Sequence, residues 1–373
     1  MTKRIQQGRA TIVDVSRALG LAPSTVSNAI HGKRQVSEAT RRRVLEACAA
    51  MGYEASPVAR ALRAGRSFSI GVLLPEFSNP VFSDIIRGVE EGLADESITV
   101  LLSNTDGDER RQLSALQAFL RRQVDGLILI SQQFPPDLVE LLAGGPPTVL
   151  INRRDAALDL DYVGIDNVGA VEAAVGHLAE RKHRRIGFVT GPLASSAAVE
   201  RCDGYRAAVA KLGLDPDPTL VVEGDYSLTS GYRAGRALLS LENRPTAILA
   251  SNDVMALGVM DVATKMRLTI PDDLSVVGFD DIFVSALPMI GLTTMRQPSL
   301  QLGFQAARLL NARMDDPDAA EAPRAVILPA DLIVRRTTAE RNGSPRAAAG
   351  LSESALTKYL TSRWKADQQT QGV

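Results

Sequence analysis

The chain has 373 residues, 45% of them hydrophobic and 23% charged, with a formal net charge of −1. That length exceeds one ordinary core and predicts two or three domains, and the composition is that of a globular chain rather than a disordered or fibrous one. Apolar runs such as LILI (Leu127 to Ile130) are strand-length, far short of a membrane span, no apolar leader follows the basic MTKRIQQGRA, and Cys48 and Cys202 stand far apart in no paired spacing, so a reduced cytoplasmic protein is expected.

Charge is unevenly placed. Residues 1 to 66 carry 12 Lys or Arg against 4 Asp or Glu, and the remainder is net acidic. A basic head on an acidic body points to a polyanion as the head's partner, although a merely solvated basic face explains the charge alone equally well.

The head reads as short helices. Thr11-Ile12-Val13-Asp14 has the form of a capping box, and Ile12, Val13, Val15, Ala18 and Leu19 recur at helical spacing up to Gly20. In APSTVSNAI (Ala22 to Ile30), Pro23 sits at a first helical position. Val26, Ala29 and Ile30 share one side there, and Ser24, Thr25, Ser27 and Asn28 the other. Ser, Thr and Asn are mediocre helix formers, so their concentration on one face fits a helix that hydrogen-bonds something other than protein. Ser37 caps a third helix running to Met51, with Val44, Leu45 and Cys48 inside and TRRR (Thr40 to Arg43) outside. Three helices with a tight GLA turn between the first two match a helix-turn-helix. SPVARALRAG then starts well at Ser56 and Pro57 but fits only about two turns before Gly65, too short to be stable alone.

From Ser67 strand-like runs alternate with amphipathic helices, first through SIGVLLP, ITVLLSN, VDGLILIS and PTVLIN, then through YVGID, RIGFVTGP, TAILASN and LSVVGFDD. Two such series predict two doubly wound lobes with parallel sheets, and ligands in such folds bind beyond the carboxyl ends of the strands. The polar segment beyond about Thr338 is expected to be mostly disordered, with SESALTKYLTSRW a possible short helix, and it lacks the sustained heptads of a coiled coil.

Several motifs stand in one order: TIVDVSRALGLAPSTVSNAIHGKRQVSEATRRRVLEACAAMGYEASPVARALRAG, IGVLLPEFSNPVF, VDGLILI, INR, VGIDN, RIGFVTGP, ERCDGYRAA, AILASNDVMALGVMDVA, IPDDLSVVGFDDI and LTTMRQP. In that order and spacing the chain resembles the LacI/GalR-type transcriptional regulators over residues 10 to 338. The resemblance implies an all-α helix-turn-helix head (1–55), a hinge helix and linker (56–66), and an α/β two-lobed body (67–338) of doubly wound parallel sheets like that of periplasmic sugar-binding proteins. A near lobe of about 67–165 and 296–326, a far lobe of about 166–293 and 327–338, and a tail (339–373) complete the expected division.

The resemblance also assigns roles. The second helix enters the DNA major groove, where Pro23, Ser24 and Asn28 read bases and Thr25 and Ser27 hold phosphates, with Thr11 and His31 beside them. Position 28 is often Arg or His in the family, so Asn28 predicts a different base, adenine through its N6/N7 edge. Ala22 replaces a frequent Ser cap. Leu62, with the small Ala59 next to it, matches the hinge leucine that a dimer wedges into the minor groove, although a leucine there can also pack on the core. In the body, Arg201 and Asp280 match opposite ends of an effector clamp, the alternative being an interlobe salt bridge. Asn152 and Asn252 match further polar contacts, and Tyr226 a stacking aromatic. Gln297 matches the lobe crossing, and Asn79 and Phe82 the near wall. Asp253 and Asp281 are read as structural acids at helix N-termini.

The function implied is a dimeric, sequence-specific repressor of a carbohydrate-utilisation operon. It binds a pseudo-palindromic operator under allosteric control by a sugar or sugar acid, with no cofactor, metal or membrane partner. The alternatives are a solute-binding protein of sugar-transport type, against which the basic head speaks, and a purine-type co-repressed regulator. An enzyme is not expected: GxSxG, HExxH, Walker A and strand-linked GxGxxG motifs are absent, and His31, His177 and His183 are dispersed. Cys202 beside Arg201 reads as a reactive thiol or, more simply, as a small buried filler.

Overall fold

The computed structural model describes residues 10–30, 36–53, 61, 64–93, 97–130, 134–155, 158–316 and 322–341. His31, Ala59, Leu62 and the tail beyond Arg341 lie outside the described residues. The chain divides into two units, Met1–Phe68 and Ser69–Val373.

In the first unit, α1 (Ile12–Leu19), α2 (Pro23–Ile30) and α3 (Glu38–Met51) enclose Val15, Val26, Ala29, Val44 and Cys48. The capping box forms: Asp14 N–H donates to Thr11 Oγ1 at 3.3 Å and Thr11 N–H to the Asp14 carboxylate at 2.9 Å. Gly20, at φ 64°, ends α1 in the left-handed conformation that a side chain disfavours. Ser37 Oγ accepts from Thr40 N–H to start α3. Leu45, expected inside, faces out at 45% exposure, and Val13 of the apolar run in α1 is 50% exposed. Three short helices bury only a narrow stripe each, and these side chains lie on the solvent side of Val15 and of Val44 and Cys48.

The second unit holds two sheets. The strands of the first are β1 (Ser69–Leu74), β2 (Thr99–Asn104), β3 (Gly126–Leu129), β4 (Thr148–Ile151), β5 (Asp161–Ile165) and β11 (Ala325–Leu328). Their order is β11-β5-β4-β3-β1-β2, all parallel, with Ile70 opposite Val100 on one side and Gly126 on the other. The strands of the second are β6 (Ile186–Thr190), β7 (Val221–Glu223), β8 (Ala247–Ala250), β9 (Ser275–Asp280), β10 (Thr293–Arg296) and β12 (Asp331–Ile333). Their order is β12-β10-β9-β8-β6-β7, parallel except for the antiparallel edge strand β12. The first sheet is covered by α4 (Val81–Gly92), α5 (Glu109–Arg121), α6 (Pro136–Leu142) and α11 (Ser299–Asp315), and the second by α7 (Asn167–Glu180), α8 (Ser196–Lys211), α9 (Leu228–Leu239) and α10 (Asp253–Lys265). Strands buried on both faces read as continuous apolar runs, which is why the sequence shows LILI rather than alternation.

The chain passes between the sheets after β5, after β10 and after β11. All four residues of β11 pair with β5, so the last passage follows Leu328, two residues later than the sequence boundary at 326/327. Pro329, which has no N–H to donate, ends the strand there. Among the described residues no helix is long and apolar enough to cross a membrane.

The segment after β12 is stitched to the second lobe by polar groups. Thr337 Oγ1 donates to Val276 O at 2.7 Å, His177 Nε2 lies 3.0 Å from Thr338 Oγ1, and His183 lies between Thr246 and Ala339 O. Burial, and then the nearby Arg181 and His183, hold the His177 imidazolium off, lowering its pKa to about 4. The unfolded chain therefore takes up this proton first as pH falls. The contribution, on the order of 3 kcal/mol, is complete above about pH 6.5 and lost as pH falls towards 4. Asp253, raised to about 6 chiefly by burial, acts in the opposite sense over the same range. Urea unfolding of the native chain and of His177→Gln, compared at pH 7 and pH 4.5, isolates the histidine. The native chain is expected to lose more stability between the two pH values than the variant, and equal losses would refute the assignment.

Candidate functional site

The first candidate surface lies on α2. Pro23 and Ser24 are exposed and Thr25, Ser27 and Asn28 partly so, on the side away from the buried Val26 and Ala29. The Ala22 carbonyl accepts from Thr25 N–H at 2.9 Å and Val26 N–H at 3.1 Å, so the helix starts on backbone bonds at a residue with no capping side chain. Thr11 is exposed, but its hydroxyl is engaged by the Asp14 carboxylate at 2.7 Å, so it serves the cap of α1. The same bonds to Thr11, and then the nearby Arg17, hold the Asp14 carboxyl below its usual range. Arg42 and Arg43 on α3 are exposed cations of the same unit.

The second is a cavity of about 340 Å³ between the two lobes of the body. All eight residues that the resemblance matches to effector contacts line it: Asn79, Phe82, Asn152, Arg201, Tyr226, Asn252, Asp280 and Gln297. Their common origin is topological. Asn79 follows β1, Asn152 follows β4, Tyr226 follows β7, Asn252 follows β8, Asp280 ends β9 and Gln297 follows β10, so the carboxyl ends of both sheets converge here.

Gln297 joins the lobes at the crossing. Its Nε2 donates to Asp280 Oδ1 at 2.7 Å, and its Oε1 accepts from Asn152 Nδ2 at 3.1 Å. Arg201 is 5% exposed; its Nε donates to Asn167 Oδ1 at 2.8 Å and its Nη1 to Ser251 O, while its guanidinium lies 3.7 Å from the centre of the Phe279 ring. No ion pair forms between Arg201 and Asp280 among the described residues: Asp280 is hydrogen-bonded by Gln297 and Asn79 instead. Burial pushes the Asp280 carboxyl well above its usual range, and the nearby Arg201 only partly offsets this.

Asn252 works mainly within the protein. Its Oδ1 caps α10 by accepting from Met255 N–H at 2.8 Å, and its Nδ2 donates to Tyr226 O at 2.9 Å. That second bond holds Tyr226 at φ 68°, a strained conformation for an aromatic residue. The ring then lies against Gly191, where a Cβ would stand 2.1 Å from Tyr226 Cζ. Asp106, Asn152 and Asp280 also line the cavity at positive φ, so unusual backbone gathers around it.

Sequence reasoning missed Arg153, Glu76, Asp106 and Asp225, which line the same cavity. Arg153 is 8% exposed, sits 5.6 Å from the centre of the Tyr226 ring, and has its pKa lowered by burial. Glu76 is raised, first by burial, and further by Asp225 and Asp106 nearby. Like the matched residues, Arg153 and Asp106 stand just past strand ends, a position that favours the cavity but does not show burial. Two polar atoms of the wall, Asn152 Oδ1 and Arg153 Nη1, are buried without a hydrogen-bond partner.

Asp253 and Asp281 stand behind the cavity. Asp253, at the start of α10, accepts from Ile282 N–H, Ser285 Oγ and Thr294 Oγ1. Asp281 precedes no α-helix; it pairs with Arg296 and Arg335, which corrects the helix-terminus reading. Cys202 is 2% exposed within the apolar core, and burial raises its thiol pKa.

Both parts of the chain match known proteins. Residues 11–56 match the family of bacterial regulatory proteins, lacI family, and residues 175–338 a periplasmic binding protein-like domain. The chain is 33% identical over 339 residues to the HTH-type transcriptional repressor CytR of Escherichia coli (strain K12), covering 91% of this chain and 99% of that one. The structure of a Lac repressor dimer bound to operator and the anti-inducer ONPF superposes with a TM-score of 0.79 at 27% identity, covering 89% and 100% of the two chains. A complex of the transcriptional regulator CelR with cellobiose superposes at 0.68 with 31% identity, covering 88% and 100%. With a helix-turn-helix head, a two-lobed α/β body and a relative of this identity along nearly its whole length, the chain belongs to the LacI family of bacterial transcriptional regulators.

Proposed function

We propose that the chain is a repressor that reads a pseudo-palindromic operator as a dimer and releases or tightens its hold when a sugar or sugar acid occupies the interlobe cavity. The observation that carries the effector class is the pair of unsatisfied groups on one wall. Asn152 Oδ1 is an acceptor and Arg153 Nη1 a donor, and a polyol, whose hydroxyls both donate and accept, offers a partner to each. The bound cellobiose of the CelR complex and the bound operator of the Lac repressor dimer support the same two partners.

In this reading residues 1–55 form the DNA-binding head, 56–66 the hinge with Ala59 and Leu62 at the minor groove, and 67–338 the effector-binding and dimerisation body. The effector biases the angle between the lobes, and that angle sets operator affinity; operator must then change effector affinity by the same factor. On α2, Pro23, Ser24 and Asn28 read base edges, and Thr25 and Ser27 hold phosphates, with Thr11 and His31 beside them. The test has two parts. The full chain is used to select its operator from random DNA and is screened by thermal shift against sugars, sugar acids, sugar phosphates, polyols and nucleobases. A ligand at a hundred times its Kd adds about 2.7 kcal/mol, enough to detect. Asn28→Ala is then expected to relax preference at one symmetric base pair, at about 1–3 kcal/mol per half-site, without changing the salt dependence of binding. An unchanged sequence preference removes Asn28 from base reading, and a hit among nucleobases alone overturns the sugar assignment.

A further inference from the structure

Outside the cavity a chain of hydrogen bonds runs from Arg201 to the opposite lobe. Arg201 Nε donates to Asn167 Oδ1 at 2.8 Å, Asn167 Nδ2 donates to Glu200 Oε2 at 2.8 Å, and Arg154 Nη2 donates to Glu200 Oε1 at 3.0 Å. Arg154 follows β4 in the first lobe; Glu200 and Arg201 are neighbours on α8 of the second; Asn167 opens α7 where the chain first passes between them. A further bond, Arg154 N–H to Ser196 Oγ at 3.1 Å, fixes the backbone of the first-lobe residue to the start of α8.

We propose that Glu200 is a positioning residue: it orients Arg201 through Asn167 and, by its pairing with Arg154, ties that orientation to the angle between the lobes. This rests on the reading of the cavity as the effector site. A primary amide offers an acceptor on one side and donors on the other, so Asn167 can be set either way round. The Glu200 carboxylate can only accept, which turns the Asn167 amide so that its oxygen faces the Arg201 guanidinium. Each oxygen of Glu200 serves one lobe. A change of lobe angle that draws Arg154 away therefore reaches Asn167, and through it Arg201; a ligand that pulls on Arg201 loads the same chain in reverse. An ordinary exposed ion pair has no such second arm and contributes little.

The test uses the full chain and no effector, so a failed ligand screen leaves it standing. Two readouts are taken: the Arg201 Nε–H signal in the nitrogen–proton NMR spectrum, assigned by its loss in Arg201→Lys, and the interlobe distance distribution between spin labels at Ser114→Cys and Ala237→Cys. Both label positions are exposed, while Cys48 and Cys202 are buried. Arg154→Gln removes a side chain more than half exposed and not in contact with Arg201, so the fold is retained. It is expected to shift the Arg201 signal and to broaden the distance distribution. Glu200→Gln is expected to do both, and the double variant to add nothing to either single one. Lys211→Gln, at the far end of α8, breaks the exposed pair with Glu172 of α7 and is the control that leaves both readouts in place. An Arg201 signal unmoved by Arg154→Gln overturns the proposal even if the distances broaden, because the lobes are then strapped without positioning Arg201. Additive effects in the double variant overturn it as well.

Discussion

Arg201→Ala is expected to abolish the thermal stabilisation of the chain by its effector, with a loss of at least about a hundredfold in affinity. Two of the arginine's donors are spent on Asn167 and Ser251, and its face lies on Phe279, so the guanidinium is held in one place before any ligand arrives. A preorganised cation loses little entropy on binding, and its hydrogen bonds to a ligand are of the charge-assisted kind, about 1.5–3 kcal/mol each. Removing it also leaves Asn167 Oδ1 and Ser251 O without their donor, which lowers the stability of the unliganded protein. The comparison must therefore be between each variant with and without ligand, not between variants. Arg201→Lys keeps the charge but cannot reach Asn167, Ser251 and the cavity at once, and is expected to recover only part of the loss. A ligand-induced shift of undiminished size in Arg201→Ala would take the arginine out of the effector site.

The order of strands and helices was legible because buried parallel strands leave short apolar runs that no turn signal interrupts. Thr11, Gly20 and Ser37 marked helix ends by chemistry that acts within three or four residues. The eight cavity residues of the body were legible through the resemblance, residue by residue, and the structure brings them to one cavity. Arg153 was not: beside Asn152 it reads as one more arginine of INRR, and only the sheet shows that it is buried. The purpose of Asn252 was hidden for a different reason. Its partners, Met255 and Tyr226, satisfy both ends of its amide, and the 26-residue separation from Tyr226 leaves no local trace. Leu45 was misplaced because helical spacing gives a face but not its width, and a small three-helix core buries a narrow one. The helix crossing of α4 and α11 was also invisible, since glycines more than two hundred residues apart carry no periodicity at all.

That crossing gives the larger stability prediction. At Gly303 a Cβ would stand 1.9 Å from Ile85 O, and at Gly88 one would stand 2.0 Å from Leu300 O. Both obstacles are backbone carbonyls inside helices, so no side-chain rotation relieves them, and α4 and α11 must move apart. Helix propensity alone favours Ala over Gly by about 1 kcal/mol. Here the steric term outweighs it, and Gly303→Ala is expected to cost about 4 kcal/mol or more, among the largest single-residue effects. Gly176 in α7 supplies the opposite case: nothing lies within 4 Å of a Cβ built there, so Gly176→Ala is expected to raise stability by up to about 1 kcal/mol. Urea unfolding midpoints of the two variants should therefore move in opposite directions from the native chain; a gain in both would show that α11 shifts freely. Such freedom would matter to the site as well. Helix α11 begins at Ser299, two residues after Gln297, whose amide joins Asn152 to Asp280 across the lobes. A helix pushed away from α4 carries that amide with it. If Gly303→Ala folds at all, its affinity for an effector of the cavity is expected to fall along with its stability, and Gly176→Ala is expected to leave that affinity unchanged.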